Sequence, residues 1–279
     1  MNSKLSKKQI SEKQISEKQR SEAKMNTLPE DKYSLLDESN SKAGSNKTTS
    51  KTSEGIGKES EIYTSRFSPA QEKVREETWD ILVSEFFQNY VSPDDCLLDL
   101  GAGDGLFVTR IKARRRIAVD LSSHVNKLES AGIEVLQCLA SDFVSKLNEP
   151  ADVIFMSNFL EHLPDKRTVI EVFDECRRAL SPDGKVLILQ PNIRYVGVKY
   201  WDYIDHHIAL TEHSLVEGLE VSGFRVEELI PRFLPYTAKS GVGAISGMFD
   251  TKSLVSAYLK IPLLWKFLGA QTFICARKK

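Results

Sequence analysis

No apolar rhythm holds over the first sixty residues. A short unit, S-E-K-Q-I, recurs in "SKKQISEKQISEKQRSEAK", and "ESNSKAGSNKTTSKTSEGIGKES" offers almost nothing to bury. Such a stretch cannot offset the entropy of ordering it, so residues 1–60 read as a disordered, low-complexity tail. Ile10 and Ile15 leave room there for a short helix formed only on a protein partner. The rhythm begins near Ile62. In "SPAQEKVREETWDILVSEFFQNY", Val74, Ile81, Leu82 and Phe86 recur at helical spacing behind Ser68, Pro69 and Gln71, the spacing of a capping box with proline in the first turn. Short apolar runs then alternate with helical ones. Strands are expected at Cys96 to Leu100, Arg116 to Asp120, Ile133 to Cys138, Val153 to Ser157 and Lys185 to Leu189. Helices are expected after Gly105, from Ser122 to Gly132, and after Pro164, where Val169, Phe173, Cys176 and Leu180 share a face. "SPDG" turns the chain into the fifth strand, a last helix runs from about Thr211 to Gly223, and "FRVEELI" and "QTFICARK" read as strands. This alternation, with short connections, predicts an α/β fold: a doubly wound, mostly parallel sheet covered on both faces, in one domain over residues 61–279.

Composition narrows the picture only a little. The 279 residues are 41% hydrophobic with a formal net charge of -1, which gives no global pull toward nucleic acid or membrane. "KARRR" at 112 to 116 is too short for a nucleic-acid track and reads as a solvated entry to a strand. Cys96, Cys138, Cys176 and Cys275 form no C-x-x-C pair and sit in apolar stretches, as small buried hydrophobes of a reducing, cytoplasmic protein do. No apolar segment of a signal peptide follows Met1, and no run reaches the roughly 18 uncharged apolar residues of a membrane span. Residues 254–276 come nearest. Lys260, Pro262 and Lys266 interrupt them, so they read as an amphipathic helix followed by a core strand.

The candidate chemistry begins at "LLDLGAGDGLF", Leu97 to Phe107. In a doubly wound sheet the loop after the first strand lies at the centre of the ligand crevice. A dinucleotide fold would place a third glycine at position 106, which is leucine, and Asp99 and Asp104 would set negative charge against two phosphates. A cationic amino-acid ligand is favoured over a pyrophosphate. Asp120, at the end of the second strand, stands where a carboxylate accepts both hydroxyls of a ribose. Asp142 with Phe143, after the third strand, can accept from the amine of an adenine and lie against its face. Adenosine with an amino-acid head is S-adenosylmethionine.

"VSPDDCLLDLGAGDG", "RRRIAVDLS", "CLASDF", "DVIFMSNFLEHLPD" and "LSPDGKVLILQPN" resemble the successive motifs of class I S-adenosylmethionine-dependent methyltransferases, over about Ile62 to Lys279. The resemblance implies a Rossmann-like seven-stranded sheet whose last strand is antiparallel and inserted beside the others, and a methyltransferase activity. It also implies that Asp99, Gly101, Ala102, Gly103 and Gly105 cradle the methionine portion. Asp120 and Leu121 would then meet the ribose, Asp142 and Phe143 the adenine, with Asn158 completing the cofactor-binding set.

The acceptor is read from two further stretches. Methylation of nucleic-acid bases usually carries an N/D-P-P-Y type sequence after the fourth strand, where this chain has "SNFLEHL", so no nucleic-acid partner is expected. "YWDYIDHHIALTEHS", after the fifth strand, holds three of the five histidines among aromatic residues. His206 or His207, oriented by Asp205, is the expected base for a hydroxyl acceptor, with His162 beside them. Glu161, Tyr200, Trp201, Tyr203 and Asp205 are expected to line the acceptor pocket. A metal held by Asp205, His207 and His213 is the weaker alternative, because their spacing matches no known ligand set, and no metal is expected. "PRFLPYTAKSGVGAISGMFD" reads as a loop able to close over the site. The region from "YWDYIDHH" through "PRFLPYT" resembles bacterial members linked to cell-surface glycan biosynthesis. The leading expectation is O-methylation of a sugar, a glycan precursor or another small hydroxylated metabolite. Two alternatives stay open: a quinone or lipid acceptor reached through a weak membrane-surface contact of "LKIPLLWKFLG", and a non-catalytic S-adenosylmethionine binder acting through its tail.

Overall fold

A computed structural model describes residues 68–236 and 250–279. The expected tail lies outside them, as do residues 237–249, most of the loop expected to cover the site. In chain order the elements are α1 (Pro69–Glu85), β1 (Cys96–Leu100), β2 (Arg115–Asp120), β3 (Glu134–Gln137), β4 (Ala151–Ser157), α2 (Lys166–Ala179) and β5 (Leu180–Pro191). They continue with α3 (Ile193–Val196), α4 (Glu212–Val221), β6 (Phe224–Leu234), α5 (Thr251–Leu259), α6 (Pro262–Leu268) and β7 (Gln271–Lys278). The seven strands form one sheet in the order β3-β2-β1-β4-β5-β7-β6. β1 to β5 are parallel, and β7 is antiparallel to both its neighbours. This is the Rossmann-like arrangement expected, with the strand order reversing between β1 and β4, where such sheets open their ligand crevice.

The local signals explain most of these elements. Ser68 and Gln71 close a reciprocal capping box on α1, with Pro69 in its first turn. Asp165 caps α2 by accepting from the Thr168 N–H, and Thr211 and Ser214 box the start of α4. Alternate residues of the central strand β4 then divide the core. Ile154 and Met156 pack with Phe173, Cys176 and Leu219 under α2 and α4. Val153 and Phe155 face Phe87, Phe107 and Phe273 under α1, where Phe107 and Phe155 stack with ring centroids 3.7 Å apart. In the basic run that enters β2, Arg114 pairs with Glu149, and Arg115 with Glu134 and Glu149.

Four expected features differ. After Gly105 the chain makes isolated helical turns, Thr109 N–H to the Gly105 carbonyl and Ile111 N–H to the Phe107 carbonyl, rather than a regular helix. The backbone N–H of Val108 faces the Asp99 carboxyl instead of continuing a helical ladder. From Ser123 to Ala131 the helix is of the tighter 3₁₀ type, started by Ser122 and stopped by Gly132 at φ 71°. "SPDG" lies within β5, where the pairing jumps from Ala151–Leu180 to Val153–Lys185. The start of the expected covering loop, through Leu234, belongs to β6.

Candidate active site

Because β1 to β4 run parallel, the residues that follow them emerge at one end of the sheet. Gly101, Ala102, Gly103 and Gly105 follow β1, Asp120 and Leu121 close β2, Asp142 and Phe143 lie beyond β3, and Asn158 follows β4. The loop after β1 is tied to β2. Gly101 and Ala102 donate their N–H groups to the Val119 carbonyl at 2.8 and 3.2 Å, and Gly103 donates to Asp120 Oδ2 at 2.8 Å. Ser122 donates to Asp120 Oδ1, also at 2.8 Å. Each oxygen keeps a second lone pair, and the half-buried carboxylate can still accept from ribose hydroxyls. Gly101 has φ 75°, and a Cβ there would stand 2.5 Å from the Phe159 ring. The missing side chain lets the loop after β1 close against the loop after β4. Asn158, at φ 48°, is the single non-glycine residue with positive φ among the described residues, and it sets the direction in which Phe159 leaves the strand.

Asp99 and Asp104 do not set the negative charge against a phosphate that their positions in the loop predict. Asp99 is buried, and burial, reinforced by the Asp120 charge, pushes its carboxyl up to about 8, so it is largely protonated at neutral pH. Asp104 turns to Arg75 at 3.6 Å and Lys127 at 3.1 Å. Neither presents an uncompensated charge to the crevice, and the reading against a dinucleotide rests on Leu106 alone. Phe143 also differs from expectation. Its ring is wholly buried in the core under α2, so it offers no face to an adenine, whereas Asp142 beside it is exposed. A residue after a strand is drawn inward whenever the core has room for a large ring.

A second constellation lies beyond the carboxyl ends of β4 and β5. Leu160–His162 forms one 3₁₀ turn. Glu161 is buried and accepts a hydrogen bond from Gln190 Nε2, near the end of β5, at 2.9 Å. Burial raises its carboxyl above the usual range, opposed chiefly by His162. His162 Nδ1 stands 2.7 Å from the backbone oxygen of Asp205 and 3.5 Å from its carboxylate. A carbonyl only accepts, so this hydrogen bond places the imidazole proton on Nδ1 and leaves Nε2 as the basic nitrogen. Nε2 lies 4.0 Å from Glu161 Oε1. The backbone N–H of His207 donates to the Glu161 carbonyl at 2.9 Å, fastening the later segment onto this turn.

The expected acceptor residues therefore separate. Asp205 holds His162, although His206 or His207 was the histidine expected to rely on it. His206 is buried, its ring 5.2 Å from that of His162, 4.8 Å from Tyr200 and 5.1 Å from Tyr203. His207 is exposed. Tyr200 is fully buried and donates its hydroxyl to the Ile208 carbonyl at 2.6 Å, so it shapes the segment and does not line a pocket. Trp201 is exposed and Tyr203 half-buried. Among the described residues, the side chains placed to hold a metal are Glu161, His162 and His206, whose ligand atoms lie within 4.8 Å of one another. Asp205, His207 and His213 are not brought together; His213 is exposed beside Glu212. Gln190 was not foreseen, although a glutamine near the end of an apolar strand was a readable signal.

A family model described as a methyltransferase domain matches residues 65–229, more than half of the chain. The chain belongs to this methyltransferase family. The ubiquinone biosynthesis O-methyltransferase of Pseudomonas syringae pv. tomato is 28% identical over 99 residues, 32% of this methyltransferase and 41% of the relative's length. Less than half of that relative is therefore spanned. A S-adenosylmethionine-dependent methyltransferase from Archaeoglobus fulgidus shares the fold with a TM-score of 0.54 at 20% identity, over 75% of this chain and 97% of its own. A protein from Thermotoga maritima described as a possible histamine N-methyltransferase follows at 0.52 and 14% identity, over 75% and 94%. Among the described residues no helix is long and apolar enough to cross a membrane.

Proposed function

We propose that residues 61–279 form a S-adenosylmethionine-dependent O-methyltransferase domain acting on a hydroxyl of a sugar, a glycan precursor or another small hydroxylated metabolite. The observation that carries this reading is the 2.7 Å contact from His162 Nδ1 to the Asp205 carbonyl, which leaves a basic nitrogen at the carboxyl ends of the central strands. The glycine loop and Asp120 fit the cosubstrate: the loop is curled by its own backbone onto β2, and the half-buried carboxylate retains lone pairs for a ribose. When bound, S-adenosylmethionine supplies an electrophilic methyl group on a sulfonium.

The chain's own residues do the rest. Gly101, Ala102 and Gly103 bind the amino-acid portion, with Asp120 on the ribose and Asp142 toward the adenine. His162 Nε2 takes the proton of the acceptor hydroxyl as the oxygen attacks in line, a contribution worth about 10² to 10⁴ in rate. The imidazolium so formed has the Asp205 carboxylate at 3.5 Å and Glu161 at 4.0 Å to offset its charge. Trp201 and Tyr203 supply flat apolar surface of the kind sugar rings and planar phenols lie against. The Pseudomonas relative, an O-methyltransferase, supports oxygen as the acceptor atom.

A second reading rests on the mutual reach of Glu161, His162 and His206: a divalent cation held there would polarise the acceptor hydroxyl in place of a base. Transfer of labelled methyl into fractionated cell extract, with and without a chelator, tests both. Label in carbohydrate or small polar metabolites, insensitive to chelation, supports the first reading. Loss of transfer on chelation, restored by added metal, supports the second. Label confined to nucleic acid or protein overturns both.

A further inference from the structure

The face formed by α6 and the segment after β5 carries large apolar side chains where water-facing residues should be polar. On α6, Leu263 and Phe267 stand one turn apart with 60% and 71% exposure. Trp265 turns inward, its ring 5.1 Å from Phe233, so the helix is already anchored by its other side and the outer pair is left over. After β5, Val198, Trp201 and Ile204 are 86%, 53% and 82% exposed. Arg232 clips the two segments together. Its guanidinium lies 4.8 Å from the Tyr195 ring centroid and donates to the carbonyls of Phe267 at 2.7 Å and Gly269 at 2.8 Å.

We propose that this face docks on the headgroup region of an anionic membrane. Charge selects that occupant. Lys199 on one segment and Lys266, between Leu263 and Phe267, on the other are exposed and pair with no carboxylate among the described residues, whereas Lys252, Lys260 and Arg277 are engaged by Asp80, Glu85 and Glu227. Bulky apolar groups set among lysines on an outer helix face are the pattern of a surface-lying element, which binds through buried apolar area together with attraction to anionic lipid. The segment bearing Val198, Trp201 and Ile204 runs directly into Asp205 and His206, so docking brings the candidate site to the lipid surface. On the methyl-transfer reading, which only this last step needs, the acceptor is then an amphiphile with an apolar anchor and a hydroxylated head.

Sedimentation of the full-length protein with vesicles of phosphatidylcholine alone, or mixed with phosphatidylglycerol, tests the docking. Binding is expected to the mixed vesicles, to weaken as salt is raised, and to fall about tenfold or more in L263E/F267E. Binding of S-adenosylmethionine by that variant, measured separately, is expected to match the parent, so a failure of docking and a failure of the methyl-transfer reading show up in different assays. Three results would overturn the proposal: no co-sedimentation with mixed vesicles, equal binding by the variant and the parent, or a parent dimer that L263E/F267E dissolves.

Discussion

Gly101 and Phe159 approach so closely that a single added methyl would collide: a Cβ on Gly101 would lie 2.5 Å from the Phe159 ring. This contact joins the loop after β1 to the turn that carries Glu161 and His162. The position also has φ 75°, which a side chain tolerates poorly. Gly101→Ala is therefore expected to destabilise the fold by about 2–4 kcal/mol, combining overpacking with backbone strain. Adding Phe159→Ala should recover the overpacking share and leave the backbone share. Thermal melts of the two single variants and the double variant check this, and strictly additive losses would refute it.

His162→Ala should lower kcat by about 10² to 10⁴ while leaving S-adenosylmethionine binding unchanged, if Nε2 is the base. Asp205→Asn provides the contrast. The hydrogen bond that fixes the tautomer comes from the Asp205 backbone carbonyl, which the substitution keeps, so this variant should lose less than about tenfold. Turnover measured beside calorimetry of cosubstrate binding separates the two effects. A larger loss at Asp205 than at His162 would assign the catalytic role elsewhere.

The sequence spoke clearly wherever a signal was local. The capping box of Ser68 and Gln71, the apolar run of β1 and the strand at "QTFICARK" were legible because neighbours a few residues apart decide them, whereas the insertion of that strand between β5 and β6 is a long-range pairing that only the family resemblance implied. The partner of Asp205 was not legible, since His162 lies 43 positions away and three histidines compete for it in the same stretch. Burial overrode side-chain chemistry at two positions. Tyr200 and Phe143 carry the chemistry of binding residues, yet the core took both, because a large ring gains more from packing than from a wet crevice. The missing helix after Gly105 has a similar origin: Asp99, read as a ligand residue, draws the Val108 N–H toward itself from below.

Tyr200 should therefore behave as a structural residue. Tyr200→Phe keeps the ring and removes the hydroxyl that donates to the Ile208 carbonyl. Leaving that carbonyl without its donor is expected to cost about 1–3 kcal/mol. Urea denaturation should show the loss as a lower midpoint at unchanged slope. KM for the acceptor should stay close to that of the parent, whereas a large rise in KM would return Tyr200 to the acceptor pocket.

Asp99 is expected to make the stability of the chain depend on pH, and its cosubstrate affinity too where the amino-acid head lies beside it. Unfolded, its carboxyl ionises near 3.8; in the fold, burial moves it to about 8. Between these values the folded chain holds the extra proton, so the Asp99 contribution to stability is fully present below 3.8 and is lost as pH rises through about 8. Asp99→Asn cannot ionise. The parent should therefore lose stability relative to this variant as pH rises from 5 to about 9, in paired melts across that range. The same proton bears on ligand binding. A cationic amino-acid head beside Asp99 favours the carboxylate, so binding at pH 7 should expel a proton. Calorimetry in phosphate and in Tris would register it as a difference in apparent enthalpy, absent in Asp99→Asn. Equal enthalpies for the parent in both buffers would mean that Asp99 stays protonated under the bound cosubstrate, serving the loop alone.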